Sequence, residues 1–169
     1  MGSFDLGKDV VCSWIRGHFP PESTILDVGA GDGKWRNLLP EYSMDAVEIF
    51  SPNAHAIRHM YGTVYETNIV NLDYRPYDLI IFGDVIEHLS IDDAQKVLQT
   101  AEKKCTDMIV AVPFLYPQDE IYGNPWERHI QDDLTDAIFH KRYPGFEVLF
   151  DPGRGYMYYH KGEKNEHRD

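Results

Sequence analysis

The chain has 169 residues, with 16 basic and 28 acidic side chains giving a formal net charge of −12. That length suits one domain around one core, and the acidic balance argues against a nucleic-acid partner, because binding a phosphate backbone rests on Lys and Arg neutralising it. No basic segment precedes an apolar run near the start, no apolar stretch reaches membrane length, and Cys12 and Cys105 make neither a disulfide nor a metal pattern. A cytoplasmic protein with no membrane partner is therefore expected.

Strand-like and helix-like stretches alternate along the chain, the pattern of a parallel sheet with helices on its faces. A first helix is expected over residues 7–18, with Val10, Val11, Trp14 and Ile15 on one face, and Pro20-Pro21 ends it. The short apolar run 24–28 reads as a buried strand and stops at glycines. A short helix over 34–39 closes at Pro40. A second strand over 44–49 is followed by a helix whose cap and first residue are Ser51 and Pro52.

Val64-Tyr65 makes a brief third strand, and the unbroken apolar run 77–82 a central fourth one. Ser90 to Asp93 resembles a capping box ahead of Ala94, Val97, Leu98 and Ala101 at helical spacing. A fifth strand covers 108–112. A long loop, 113–131, leads to a helix near 133–140, and a hairpin is expected from 146–150 and 156–160. The last nine residues, 161–169, read as a solvated, disordered tail. The whole is an α/β chain, five strand–helix units closed by an antiparallel hairpin, in a single domain over 1–169.

The informative segment is Ile25-Leu26-Asp27-Val28-Gly29-Ala30-Gly31-Asp32-Gly33-Lys34. Glycines directly after a first strand let the backbone turn tightly and approach a ligand, and the following helix offers free N–H groups. The nicotinamide fingerprint needs G-x-G-x-x-G, and Lys34 occupies the place of its third glycine. Asp27, two residues before the first glycine, would repel a pyrophosphate but suits an ammonium group. Glu48 ends the second strand, where an acid can accept from both ribose hydroxyls. Taken alone it is equally a surface carboxylate at a strand end.

These residues resemble the class I S-adenosylmethionine (SAM)-dependent methyltransferases. Residues 27–33 look like that family's first motif, D-x-G-x-G-x-G, and Ala46-Val47-Glu48-Ile49 looks like its second. Asn68 stands where the family usually has an acid that accepts from the adenine amino group. Asp84-Val85-Ile86-Glu87-His88-Leu89 resembles the D-V-L-E-H-L stretch of many small-molecule members. The resemblance implies a Rossmann-like, doubly wound, seven-stranded and mostly parallel sheet, with the last strand inserted antiparallel between the fifth and sixth. It implies SAM as cofactor, with Asp27, Gly29, Ala30, Gly31 and Gly33 at its methionine end and Glu48 on its ribose. Ile49, Asn68 and Ile69 would lie at the adenine, and Asp84 near the sulfonium.

Methyl transfer from a sulfonium is mainly a positioning problem, and a base is needed only where the acceptor must lose a proton. His88 and His129 are the candidates for that base. His88 reads equally as a residue bonding the backbone at a helix entry. Tyr116, Tyr122 and Trp126, with His129, would form a partly aromatic acceptor pocket or simply tie down the loop. The Gly123-Asn124-Pro125-Trp126-Glu127-Arg128-His129 stretch is similar to G-N-P-x-E-x-H stretches of small methyltransferases. His55 and His59, four apart on a helix, lack the Glu of a zincin pattern and a third ligand, so no metal is expected. A small-molecule or sugar-like acceptor is the preferred reading, with oligomeric state open. A SAM-binding module without catalysis, a nicotinamide oxidoreductase and a protein methyltransferase are the alternatives.

Overall fold

A computed structural model describes residues 5–162. Seven strands form one sheet in the order β3-β2-β1-β4-β5-β7-β6. They are β1 (Thr24–Val28), β2 (Ser43–Glu48), β3 (Val64–Glu66), β4 (Tyr77–Gly83), β5 (Cys105–Pro113), β6 (Glu147–Gly153) and β7 (Tyr156–Gly162). The first five run parallel, while β7 pairs antiparallel with both β5 and β6. This is the expected doubly wound sheet with its inserted last strand. Chain order reverses between β1 and β4, which pair directly, and ligands in such sheets bind beyond the carboxyl ends of the strands at that reversal.

Both faces are covered. Leu26 and Val28 of β1, Ile80 and Phe82 of β4, and Met108, Val110 and Val112 of β5 pack on α4 (Ile91–Glu102) and α5 (Asp136–Arg142). The alternate residues Ile25, Leu79, Ile81, Ile109 and Ala111 pack on α1 (Lys8–His18), α2 (Lys34–Leu38) and α3 (Ser51–Ile57). Side chains two apart share a face of a strand, so an unbroken apolar run feeds two cores at once.

Several boundaries and faces differ from expectation. On α1 the buried residues are Lys8, Val11, Cys12 and Ile15, and Val10 is exposed. The buried stripe is rotated to Val11, Cys12 and Ile15, which pack on the sheet, and includes Lys8, whose ammonium lies over the Trp35 ring, 4.9 Å from its centroid. Ser51 is the first residue of α3 and Phe50 precedes it as cap, so the Ser-Pro start lies one residue inside the helix. His59 falls beyond the end of α3. The last helix begins at Asp136, where the Thr135 side chain accepts from Ile138 N–H, and not near 133. Ser90 caps α4 as expected, accepting from Asp93 N–H at 3.1 Å. Lys161 and Gly162 belong to β7 and not to a tail, and 163–169 lie outside the described residues. Among the described residues, no helix is long and apolar enough to cross a membrane.

Candidate functional site

At the carboxyl ends of β1 and β4 lies a cleft of about 330 Å³. Its first wall is the glycine loop. Gly29 turns at φ 72°, and its N–H, with that of Ala30, donates to the Val47 carbonyl, which holds the loop against β2. A Cβ on Gly29 would sit 2.5 Å from Val85 Cγ2, so only a glycine lets the two segments close on each other. Gly31 N–H donates to Glu48 Oε2 at 2.8 Å, and Phe50 N–H donates to Glu48 Oε1 at 2.8 Å. The carboxylate thus braces the loop and the strand end together. Each of its oxygens still has accepting capacity toward a ligand. Burial pushes the Glu48 carboxyl above its ordinary value, opposed by the two backbone donors. The α2 helix that follows has five residues, too short to bring a long helix dipole to the cleft.

Of the residues expected around a cofactor, Gly29, Ala30, Gly31, Glu48, Ile49, Asn68, Ile69 and Asp84 line this cleft. Asn68 Oδ1 accepts from Val70 N–H at 3.0 Å, which orients the side chain and leaves the oxygen one further lone pair. Gly33 and Asp27 stand off the wall. Asp27 is fully buried behind the loop, where Tyr61 donates its hydroxyl to Oδ2 at 2.6 Å and Oδ1 has no hydrogen bond. Burial raises its carboxyl to about 7, the Tyr61 hydrogen bond opposing the rise.

The opposite wall comes from the corner after β4 and from the loop between β5 and α5. Asp84 has φ 56°, unusual for a residue with a side chain, and its Oδ1 accepts from the Tyr156 hydroxyl at 2.8 Å. A 3-10 turn, Ile86–His88, follows. The Glu87 carbonyl accepts from the N–H groups of Ile130 and Gln131, at 2.8 and 3.0 Å. Gln131 in turn donates to the Ile86 and Leu89 carbonyls. His88 Nδ1 donates to the Arg128 carbonyl at 3.0 Å, and His129 Nδ1 to the Tyr116 carbonyl at 2.6 Å. A carbonyl can only accept, so both rings carry their proton on Nδ1 and keep a lone pair on Nε2. Burial lowers both histidines below their ordinary value.

His88 and His129 thus meet, edge to face, with ring centroids 4.7 Å apart. Tyr116 and Trp126 also line the cleft, whereas Tyr122 is 90% exposed and stands outside it. His55 and His59 are remote from this wall, and His55 Nε2 faces Glu66 instead, at 3.6 Å. Sequence reasoning gave no role to Glu87, which is fully buried in the corner, or to Trp35, Gln118 and Glu127 on the cleft wall. The only signal for Glu87 was its place in the D-V-I-E-H-L stretch.

No family model matches the sequence, and no curated protein matches it. Solved structures do. A S-adenosylmethionine-dependent methyltransferase from Clostridium acetobutylicum ATCC 824 is similar over 95% of this chain and 91% of its own, at 13% identity and a TM-score of 0.69. The N-terminal domain of EvdMO1 with SAH bound is similar over 95% of this chain and 82% of its own, at 15% identity and a TM-score of 0.69. That domain in the presence of SAH and D-fucose is similar over 95% and 84%, at 14% identity and a TM-score of 0.68. At these identities the likeness is one of fold, and the fold is that of these methyltransferases.

Proposed function

We propose that the chain is a SAM-dependent methyltransferase, one domain over 1–169, acting on a small, sugar-like acceptor. The observation that carries the reading is the cleft itself. A glycine cradle braced by Glu48 on one side continues, without a break in the lining, into Asp84, His88 and His129 on the other. The volume suits a small ligand, and pockets of this kind begin near ~300 Å³. The fold likeness to the SAH-bound EvdMO1 domain supports the cofactor, and the D-fucose named with it is in keeping with a sugar-like acceptor.

Bound SAM supplies an electrophilic methyl carbon on a sulfonium, and the chain supplies position. Glu48 would accept from the ribose hydroxyls with the lone pairs its two backbone donors leave. Asn68 Oδ1 would accept from the adenine amino group, between Ile49 and Ile69. Asp27 would act from behind the loop as a negative charge toward the ammonium group, and Asp84 would face the sulfonium. His88 and His129, each neutral with a lone pair on Nε2, are suited to take a proton from an acceptor hydroxyl. A binding module without catalysis would need no second wall, and the Tyr116, Trp126 and His129 wall favours the enzyme.

The test is calorimetric titration with SAM, S-adenosylhomocysteine and NAD. Micromolar binding of both adenosyl ligands and none of NAD is expected. Glu48→Ala is expected to weaken the adenosyl ligands at least ~10-fold, about 1.4 kcal/mol, and Glu48→Gln by less. Binding of NAD in place of the adenosyl ligands would sink the reading.

A further inference from the structure

Three side chains on the second wall are arranged in a way that proton transfer alone does not require. One ring nitrogen of His88, one of His129 and a carboxylate oxygen of Glu87 lie within 4.8 Å of one another. Among the described residues this is the one group of three or more His, Cys, Asp or Glu side chains so placed. Glu87 is fully buried, and neither carboxylate oxygen has a hydrogen-bond partner. His88 Nε2 lies 3.9 Å from its Oε1. A buried carboxylate with no donor is costly, and native structures keep one only where something compensates for it.

The histidines are held as ligands are held. Each donates Nδ1–H to a backbone carbonyl, Arg128 for His88 and Tyr116 for His129, which fixes the ring and leaves Nε2 as the basic atom. Metal-bound histidines show this same outer hydrogen bond, because it sets the tautomer and raises the basicity of the ligating nitrogen. The two segments are locked together as well, through Ile130 and Gln131 N–H on the Glu87 carbonyl. The neighbourhood is negative, since Asp84 and Glu127 line the same cleft as Glu87. A cation would relieve all three carboxylates at once.

We propose that Glu87, His88 and His129 form a binding site for one divalent transition-metal ion, of the class that prefers imidazole with a carboxylate. Two histidines and one glutamate are a known catalytic zinc donor set that leaves a position open. Imidazole selects zinc-like ions over magnesium and calcium. Bonds of ~2.1 Å in a tetrahedral site need donors roughly 3.4 Å apart. The three donors therefore close by no more than ~1.4 Å from the 4.8 Å limit, within the reach of side-chain rotation. The open position would face the cleft that the same side chains line, where an acceptor oxygen could take it and be polarised. That last role rests on the methyl-transfer reading, whereas the site itself does not.

The experiment uses the full chain, stripped with a chelator and titrated without SAM. Zn²⁺ and Mg²⁺ are followed by calorimetry and Co²⁺ by its visible absorption. One Zn²⁺ per chain is expected, with a Co²⁺ ligand-field band and no comparable Mg²⁺ uptake. His129→Ala is expected to lower Zn²⁺ affinity at least ~10-fold with the far-ultraviolet circular dichroism unchanged. The half-buried loop position keeps this arm readable even if Glu87→Gln unfolds. A His55→Ala/His59→Ala control should bind as the parent does. No stoichiometric uptake, uptake indifferent to His129→Ala, loss in the His55/His59 control or preference for Mg²⁺ would each overturn the proposal. SAM titration of the same stripped protein is read separately, so failure of the cofactor reading and failure of the metal site cannot be confused.

Discussion

A methyl group added to Gly29 would meet Val85 Cγ2 at 2.5 Å, on a backbone already turned to φ 72°. Two costs add there, the left-handed conformation and the overpacking, for an expected loss of roughly 2–4 kcal/mol in Gly29→Ala. Val85→Ala should return only the packing part, so a double-mutant cycle by urea unfolding should show coupling of at least ~0.5 kcal/mol. Strict additivity would mean that the loop moves away from Val85 freely. Asp27 makes a second prediction at this scale. Its folded value, about 7, lies above its ordinary 3.8, and burial is the main cause, with Tyr61 and Lys8 opposing and Glu48 and Asp32 adding to the rise. Between those values the folded chain holds a proton that the unfolded chain has released. The contribution to stability is therefore full below about pH 4 and is lost as pH rises to about 7. Asp27→Asn removes this dependence, so the variant should gain on the parent between pH 5 and pH 8. Parallel stability curves would show that Asp27 is already ionised in the fold at pH 5.

Among elements, the 3-10 turn after β4 and the loop before α5 behave as one unit, and Gln131 is the bolt. Its Nε2 donates to two carbonyls of the turn, Ile86 and Leu89, while its Oε1 accepts from Arg142 and from the Tyr143 hydroxyl of the α5 end. Gln131→Leu keeps the volume and strands several buried polar groups at ~1–3 kcal/mol each. We expect a loss of at least ~2 kcal/mol in urea unfolding, with fluorescence of Trp126 on the same loop reporting looser packing. An unchanged midpoint would show that water replaces the amide. The unit also marks where sequence reading stopped. His88 and His129 were each legible as single candidates, yet their meeting depends on backbone bonds across some forty residues, and Glu87 became visible only once those bonds buried it. The face of α1 was misjudged for a related reason, since Lys8 is polar by composition and buried by its aromatic neighbour.

For the whole molecule, the strands were the most legible part. Short apolar runs ended by Gly29, Gly83 and Pro113 fall where β1, β4 and β5 are, because strands covered on both faces need no alternation. The insertion of β7 beside β5 came from resemblance and not from periodicity, which says nothing about which edge a hairpin joins. The helix expected near 133 starts at Asp136, where the Thr135 side chain accepts from Ile138 N–H and sets the first turn.

The hydrogen bond from Tyr156 to Asp84 joins residues 72 apart, and it braces one corner of the cleft from the last of the seven strands. During synthesis, the glycine loop and both histidines leave the ribosome well before that tyrosine does. A nascent chain stopped short of β7 would therefore carry the ligand-facing residues without the strand that sets Asp84. The free chain would gain its binding capacity late and abruptly, and bound ligand would give it little protection from proteases before then.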